Sequence, residues 1–169
     1  MLFRSPVINV SWTHIQAYLS WLNAKTGKTY RLPNAVEWEY AARAGTSSRF
    51  HTGDCLTTRQ ANINGKIDFY CKGKAGESTN PAVHRKQTLP VGSFPPNAWG
   101  LYDMHGNVSE VLADCPVYAR KDAEGNCHEH SYRGGDWWTH SDRARAHFRS
   151  SIQSFQFNKL NGFRLVQVP

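Results

Sequence analysis

An amide and a carboxylate stand three residues apart in the segment Gly106-Asn107-Val108-Ser109-Glu110. Both side chains are hard oxygen donors, and with neighbouring backbone carbonyls they suit Ca2+. The alternative is a turn that closes on its own hydrogen bonds. Ser141 lies near two histidines in sequence, His140 and His147. A serine nucleophile needs a base beside it, and no Gly-x-Ser-x-Gly elbow presents one, so serine catalysis is not expected. The densest of the histidine groups is His128-Glu129-His130. Alternation along a strand would set both rings on one side. No third ligand is placed by spacing, so a zinc or iron centre is not expected either.

Two further sets are candidates for contact rather than catalysis. Arg133, Arg143, Arg145, Arg149 and Arg164 crowd the last quarter of the chain. A guanidinium ties several carbonyls and carboxylates at once. Loop cross-linking is the expected role, with an anion site as the alternative. The same quarter holds Trp137, Trp138, His140, Ser141, Arg143, Phe155, Phe157 and Asn158. Aromatics with polar neighbours can form a binding platform, and part of this set must also be core.

Two helices are expected to position these groups. Ser11 is a plausible N-cap, Trp12, Ile15, Leu19 and Leu22 follow helical spacing, and Gly27 suits the stop. A second helix is expected after Pro33, with Asn34 as cap, Glu37 completing a capping box, and Gly45 at its end. From Thr46 onward Gly, Asn, Ser, Pro and aromatics dominate, which predicts long ordered loops around short strands. Such loops need something to hold them. Four cysteines fall as two local pairs, Cys55 with Cys71 and Cys115 with Cys127, without zinc or redox spacing. Two disulfides are the expected reading, with four reduced thiols as the alternative. Disulfides would imply an oxidising compartment.

At 169 residues the chain fits one domain, residues 1–169, with a real core. Six tryptophans and 40% hydrophobic residues argue against wholesale disorder. No apolar run approaches the roughly 18 residues of a membrane span. The N-terminus has no apolar core of signal-peptide type. The net charge of +7 favours acidic partners at long range. The basic residues are scattered, however, and no nucleic-acid-binding signature is present, so no specific nucleic-acid partner is expected.

Four motifs in order carry a resemblance. They are Arg31-Leu32-Pro33-Asn34-Ala35-Val36-Glu37-Trp38-Glu39-Tyr40-Ala41-Ala42-Arg43, Gly100-Leu101-Tyr102-Asp103-Met104-His105-Gly106-Asn107-Val108, Arg133-Gly134-Gly135-Asp136-Trp137, and Asn161-Gly162-Phe163-Arg164-Leu165. Together they resemble the formylglycine-generating enzyme family, also called the sulfatase-modifying-factor family. The resemblance runs from about Pro6 to Val168. It implies an α+β, C-type-lectin-like architecture of two helices, a small antiparallel sheet and long ordered loops. Only five residues precede Pro6, where the family usually has several strands, so the chain is expected to be part of a longer protein.

The resemblance also implies sites. Members that oxidise a substrate cysteine hold copper(I) on two cysteines shortly before the segment matching Arg149-Ser150; here those places hold Ser141 and Ala146. No catalytic residues and no copper are therefore expected. The family's structural Ca2+ maps onto Asn107 and Glu110, with carbonyls near Gly106 and Val108. The two tryptophans usual in that motif are Ser109 and Val111 here. A second family Ca2+ site maps onto Asn62 and Ile63, but its later aspartate is missing, with Asp68 the only substitute in view.

Three functions follow as expectations. The leading one is a catalytically silent member that binds a protein or small-molecule ligand, as the recognition module of a larger, bacterial-type protein. The second is an enzyme of different chemistry on a peptide-derived metabolite, using Glu110, Asp136 or a histidine as acid or base. The third is a variable binding protein diversified by a retroelement. The expected location is periplasmic or extracellular, with the cytoplasm left open.

Overall fold

The computed structural model of the chain describes residues 4–66, 82–119 and 121–169. Ser11 opens the first helix, α1, Trp12–Thr26. Its hydroxyl accepts the His14 N–H, and the His14 ring nitrogen Nδ1 accepts the Ser11 N–H, so a histidine completes the capping box usually closed by Glu or Gln. Gly27 ends α1 in the left-handed conformation, φ 67°. The second helix, α2, spans Ala35–Arg43, with Asn34 as cap and Glu37 reaching back to it. Here the stop differs from the expectation. Ala44 takes the left-handed cap position at φ 44°, and Gly45 follows it at φ 90°. Ala44 is 6% exposed, and burial of its methyl offsets the left-handed cost.

The strands are β1 Thr29–Arg31, β2 Ser109–Val111, β3 Glu129–Arg133, β4 Ser150–Gln153, β5 Asn161–Gly162 and β6 Val166–Val168. β1 pairs β6 in an antiparallel ribbon, and the four-stranded sheet runs β4-β3-β2-β5. β5 lies parallel to β2, with Glu110 opposite Gly162, so the sheet is mixed rather than wholly antiparallel as expected. Alternation of side chains from the end of β2 into the next residue lets this segment serve two cores. Val111 joins Ile15 and Leu19 of α1, while Leu112 joins Trp38 and Ala42 of α2. Burying each of these aliphatic side chains contributes about 1.5–3 kcal/mol. A third cluster, Phe50, Leu56, Ala61, Ile63 and Ala144, sits under the long loops.

The loops are held by the devices the sequence offered. Cys115 is bonded to Cys127, their Cα atoms 5.8 Å apart. Cys71, the expected partner of Cys55, lies outside the described residues, as does Asp68. Asp114, next to the disulfide, accepts the Ala35 N–H at the start of α2. Arg133 is fully buried, pairs with Glu39 at 3.0 Å and donates to the Ala146 carbonyl at 2.5 Å. Arg145 pairs with Asp142 at 3.0 Å. Arg143 and Arg149 are exposed, so the cross-linking role falls mainly to Arg133, Arg145 and Arg164. Among the described residues no helix is long and apolar enough to cross a membrane.

Candidate functional site

Glu110 leaves β2 pointing at Arg164, fifty-four residues later in the chain. Arg164 grips it with two hydrogen bonds, Nε to Oε2 and Nη2 to Oε1, both at 2.7 Å. Trp38 of α2 adds an indole N–H to Oε2 at 2.6 Å. The carboxylate is thus held by three donors and 5% exposed. Burial works against the Arg164 charge, but the attraction of Glu110 outweighs it and raises the guanidinium pKa. Arg164 also donates to the Tyr102 carbonyl at 2.9 Å.

This pair forms part of the wall of a cavity of about 710 Å³. Pro6, Val7 and Val10 line one side, continued by His14 and Tyr18 of α1. Val91, Tyr102 and Asp103 come from the loop that precedes β2. Phe163 and Leu165 flank Arg164. Asp103 has φ 54°, a left-handed conformation that Asp tolerates better than most residues. Its Oδ2 accepts the Gly92 N–H at 2.8 Å. Burial raises the Asp103 pKa; the Gly92 N–H and Arg164 pull it back, and Glu110 adds to the rise. A second cavity, about 330 Å³, lies beside the disulfide between Ala35, Asp114 and Arg149. Asp103 and the cavity escaped the sequence reading because the walls come from both ends of the chain, Pro6 to Leu165.

The residues expected to hold Ca2+ are brought together, and most of their polar atoms are otherwise engaged, the buried Asn62 Oδ1 being the exception. Asn107 Oδ1 accepts from the Leu89 N–H at 2.9 Å and from Asn62 Nδ2 at 3.1 Å, and its Nδ2 donates to the Leu89 carbonyl. Gly106 and Val108 flank it in a buried turn. Asn62 and Ile63 are buried there too, with the Asn62 carbonyl accepting the Asn107 N–H at 2.8 Å. A guanidinium already covers both oxygens of Glu110, so Asn107 and Glu110 as placed do not fit a divalent cation. The hydrogen-bonded turn describes Asn107.

The expected binding platform divides. Trp137 is 2% exposed and Ser141 fully buried, so neither belongs to a surface. Trp137 donates to the Lys159 carbonyl and meets Trp138 edge-on. Trp138, Phe155 and Phe157 are exposed, at 55%, 73% and 61%. Trp138 faces His84, whereas Phe157 faces His14 of α1. Arg143 stacks on Phe148, and half-buried His140 precedes the short 3-10 helix Ser141–Ala144. Asn158 accepts the Leu160 and Asn161 N–H groups, a turn role.

The other candidates are structural. Asp136 accepts from Ser109 Oγ and from the N–H groups of Trp138 and Thr139, each at 3.0 Å. Burial raises its pKa against these bonds. His128 is exposed, Glu129 bonds Ser151 and Gln153, and His130 stacks on Trp12 with ring centroids 3.4 Å apart. His105 donates from Nδ1 to the Ala144 carbonyl and accepts the His51 N–H at Nε2, which fixes a neutral ring. Burial, with His51 beside it, lowers the His105 pKa to about 3; burial lowers that of His130 to about 4.

These two histidines set an acid limit. Their folded pKa values lie below the unfolded value near 6.5. The unfolded chain therefore takes up protons first as pH falls, and stability is lost from about pH 6.5 down to about 4 for His130 and about 3 for His105. Each such group contributes up to about 1.4 kcal/mol per pH unit. Urea unfolding at pH 7.5, 6.5 and 5.5 is expected to show a loss of about 1–3 kcal/mol per unit below 6.5. His130→Phe, which keeps the stack on Trp12, is expected to flatten that slope. A pH-independent unfolding energy would contradict the neutral assignments.

Comparison with known proteins places this geometry. The model of the sulfatase-modifying factor enzyme 1-like domain matches residues 2–169. The chain belongs to that family. It is 40% identical over 121 residues to the formylglycine-generating enzyme of Mus musculus, covering 68% of this chain and 29% of that protein. It is 34% identical over 144 residues to the inactive C-alpha-formylglycine-generating enzyme 2 of Bos taurus, covering 84% and 42%. PvdO from Pseudomonas aeruginosa superposes with a TM-score of 0.75 at 32% identity, over 97% of this chain and 62% of that one. The chain thus spans well under half the length of these two curated relatives. Within this formylglycine-generating-enzyme-like fold, Ser141 and Ala146 are both fully buried. The Ala146 N–H donates to the Arg49 carbonyl at 2.9 Å. A hydroxyl and a methyl supply no soft ligand, so the two positions do not fit copper(I).

Proposed function

We propose that this domain is a non-oxidising member of the family that recognises a small ligand in the cavity bounded by α1, the Tyr102–Asp103 loop and the Phe163–Leu165 segment. The observation that carries this reading is the cavity itself. Its volume of about 710 Å³ falls in the range of small-molecule sites, which are mostly apolar with a few convergent polar groups. Apolar walls and the Asp103, Glu110 and Arg164 cluster match that description. The likeness to a bovine relative named as inactive supports a non-oxidising reading. The Cys115–Cys127 disulfide favours an oxidising, extracytoplasmic location. In this reading the domain works as the recognition part of a larger protein.

Two measurements test it. Nile red, a neutral apolar dye, is expected to bind and brighten. Val7→Trp, a change at a half-exposed wall residue, is expected to fill the mouth and abolish the signal. Dye binding that ignores Val7→Trp, or no binding, would overturn the cavity assignment. The protein is also expected to leave a Cys-x-Pro-x-Arg peptide unchanged in mass with copper and oxygen present. Conversion of that cysteine to formylglycine would overturn the non-oxidising assignment.

A further inference from the structure

The charges lining the cavity do not cancel. Glu110 and Arg164 neutralise each other through two hydrogen bonds of 2.7 Å. Asp103 is then the remaining acidic group of the lining. Among the described residues Asp103 has no ion-pair partner; its Oδ2 takes the neutral Gly92 N–H, and Oδ1 accepts no hydrogen bond. His14 is the histidine of the lining, and its Nδ1 accepts the Ser11 N–H. Two carboxylates thus share the one guanidinium of the lining, and Asp103 is the one without a direct ion pair, at the edge of an apolar space.

The rest of the wall suits a cation attached to an apolar body. Tyr18, Tyr102 and Phe163 contribute aromatic rings, whose faces attract organic cations. Tyr18 and Phe163 meet edge to face at 5.9 Å, a preformed aromatic corner. Pro6, Val7 and Val10 supply the aliphatic side. An anion meets the opposite situation. Arg164 already directs Nε and Nη2 at Glu110 and the Tyr102 carbonyl, and an incoming carboxylate would stand against both Asp103 and Glu110. The whole chain carries +7, so attraction of a cation here is a local effect.

We propose that the cavity binds a small organic monocation, a primary amine on an apolar body, with the ammonium group held by Asp103 Oδ1 beside the neutralised Glu110–Arg164 pair. Burial raises the Asp103 pKa, and an ammonium group beside it would favour the ionised carboxylate. This inference rests on the cavity reading above and deepens it.

The test compares n-hexylamine, 1-hexanol, hexanoate and Ca2+ as separate probes by calorimetry and thermal shift at pH 7.5. Hexylamine is expected to bind at least tenfold more tightly than 1-hexanol, and hexanoate more weakly than either. Asp103→Asn is expected to bring hexylamine down to the level of 1-hexanol while leaving 1-hexanol unchanged. Asn tolerates the left-handed backbone at this position and keeps an acceptor for the Gly92 N–H, so the variant is expected to fold; its melting temperature checks that. Equal affinity for amine and alcohol, preference for hexanoate, or amine binding indifferent to Asp103→Asn would each overturn the proposal. Ca2+ binding that depends on Asp103 and excludes hexylamine would overturn it in favour of an inorganic cation. Nile red binding without amine selectivity would end this inference alone; loss of Nile red binding as well would end the cavity reading with it.

Discussion

Glu110→Gln is expected to destabilise the fold by about 3–5 kcal/mol, the range for removing one partner of a buried ion pair. The substitution leaves Arg164 without its counter-charge and turns an amide N–H2 toward donors that need an acceptor. Trp38 Nε1 and Arg164 Nε now share Oε2, at 2.6 and 2.7 Å. The loss should be the same with chelator and with added Ca2+, because Arg164 rather than a metal ion covers the carboxylate. Urea unfolding in both media measures it. A loss seen only when Ca2+ is present would restore the metal reading of Glu110 and displace the ion-pair one. Arg164→Met in the Glu110→Gln background should cost less than the two single changes summed, with a coupling of about 1–3 kcal/mol. Additive losses would mean the two side chains act independently.

Gly106→Ala is expected to cost more than about 3 kcal/mol and to leave little soluble protein, since whole domains are stable by only about 5–15 kcal/mol. Gly106 has φ 81°, and a Cβ built on it would stand 2.6 Å from the Asn62 carbonyl oxygen and 3.0 Å from Ile63 Cγ2. The first neighbour is backbone within a hydrogen-bonded turn and cannot rotate away. The cost thus combines left-handed strain with overpacking. Gly27→Ala is the control. Gly27 has φ 67°, and an added methyl would meet nothing within 4 Å, so only the conformational cost of about 1 kcal/mol is expected. Equal losses at the two positions would show that the backbone conformation, and not the close approach of Asn62, governs this turn.

Much of this protein was legible in its sequence. Ser11, Asn34 and Glu37 act as caps where they were expected, since capping involves groups three residues apart. The order of the motifs named the family. Cys115 pairs with Cys127 as local loop closure favours. What the caps did not reveal was Ala44 in place of Gly45 at the stop, a left-handed residue whose methyl is buried by the rest of the fold.

The reading of Glu110 shows where local inference ends. Beside Asn107 it has the donor pattern of a cation site. Its partners, however, are Trp38 and Arg164, 72 residues before and 54 after. Likewise Trp137 and Ser141 have the types of a binding surface, yet lie buried under Lys159 and the loop core. Side-chain chemistry sets which partners a residue can accept, and sequence states that chemistry completely. Which of several eligible partners arrives is decided by chain closure over many residues. The pairing of β5 beside β2 brings Arg164 onto Glu110, and that same closure leaves Asp103 without a direct ion pair in the wall of the cavity.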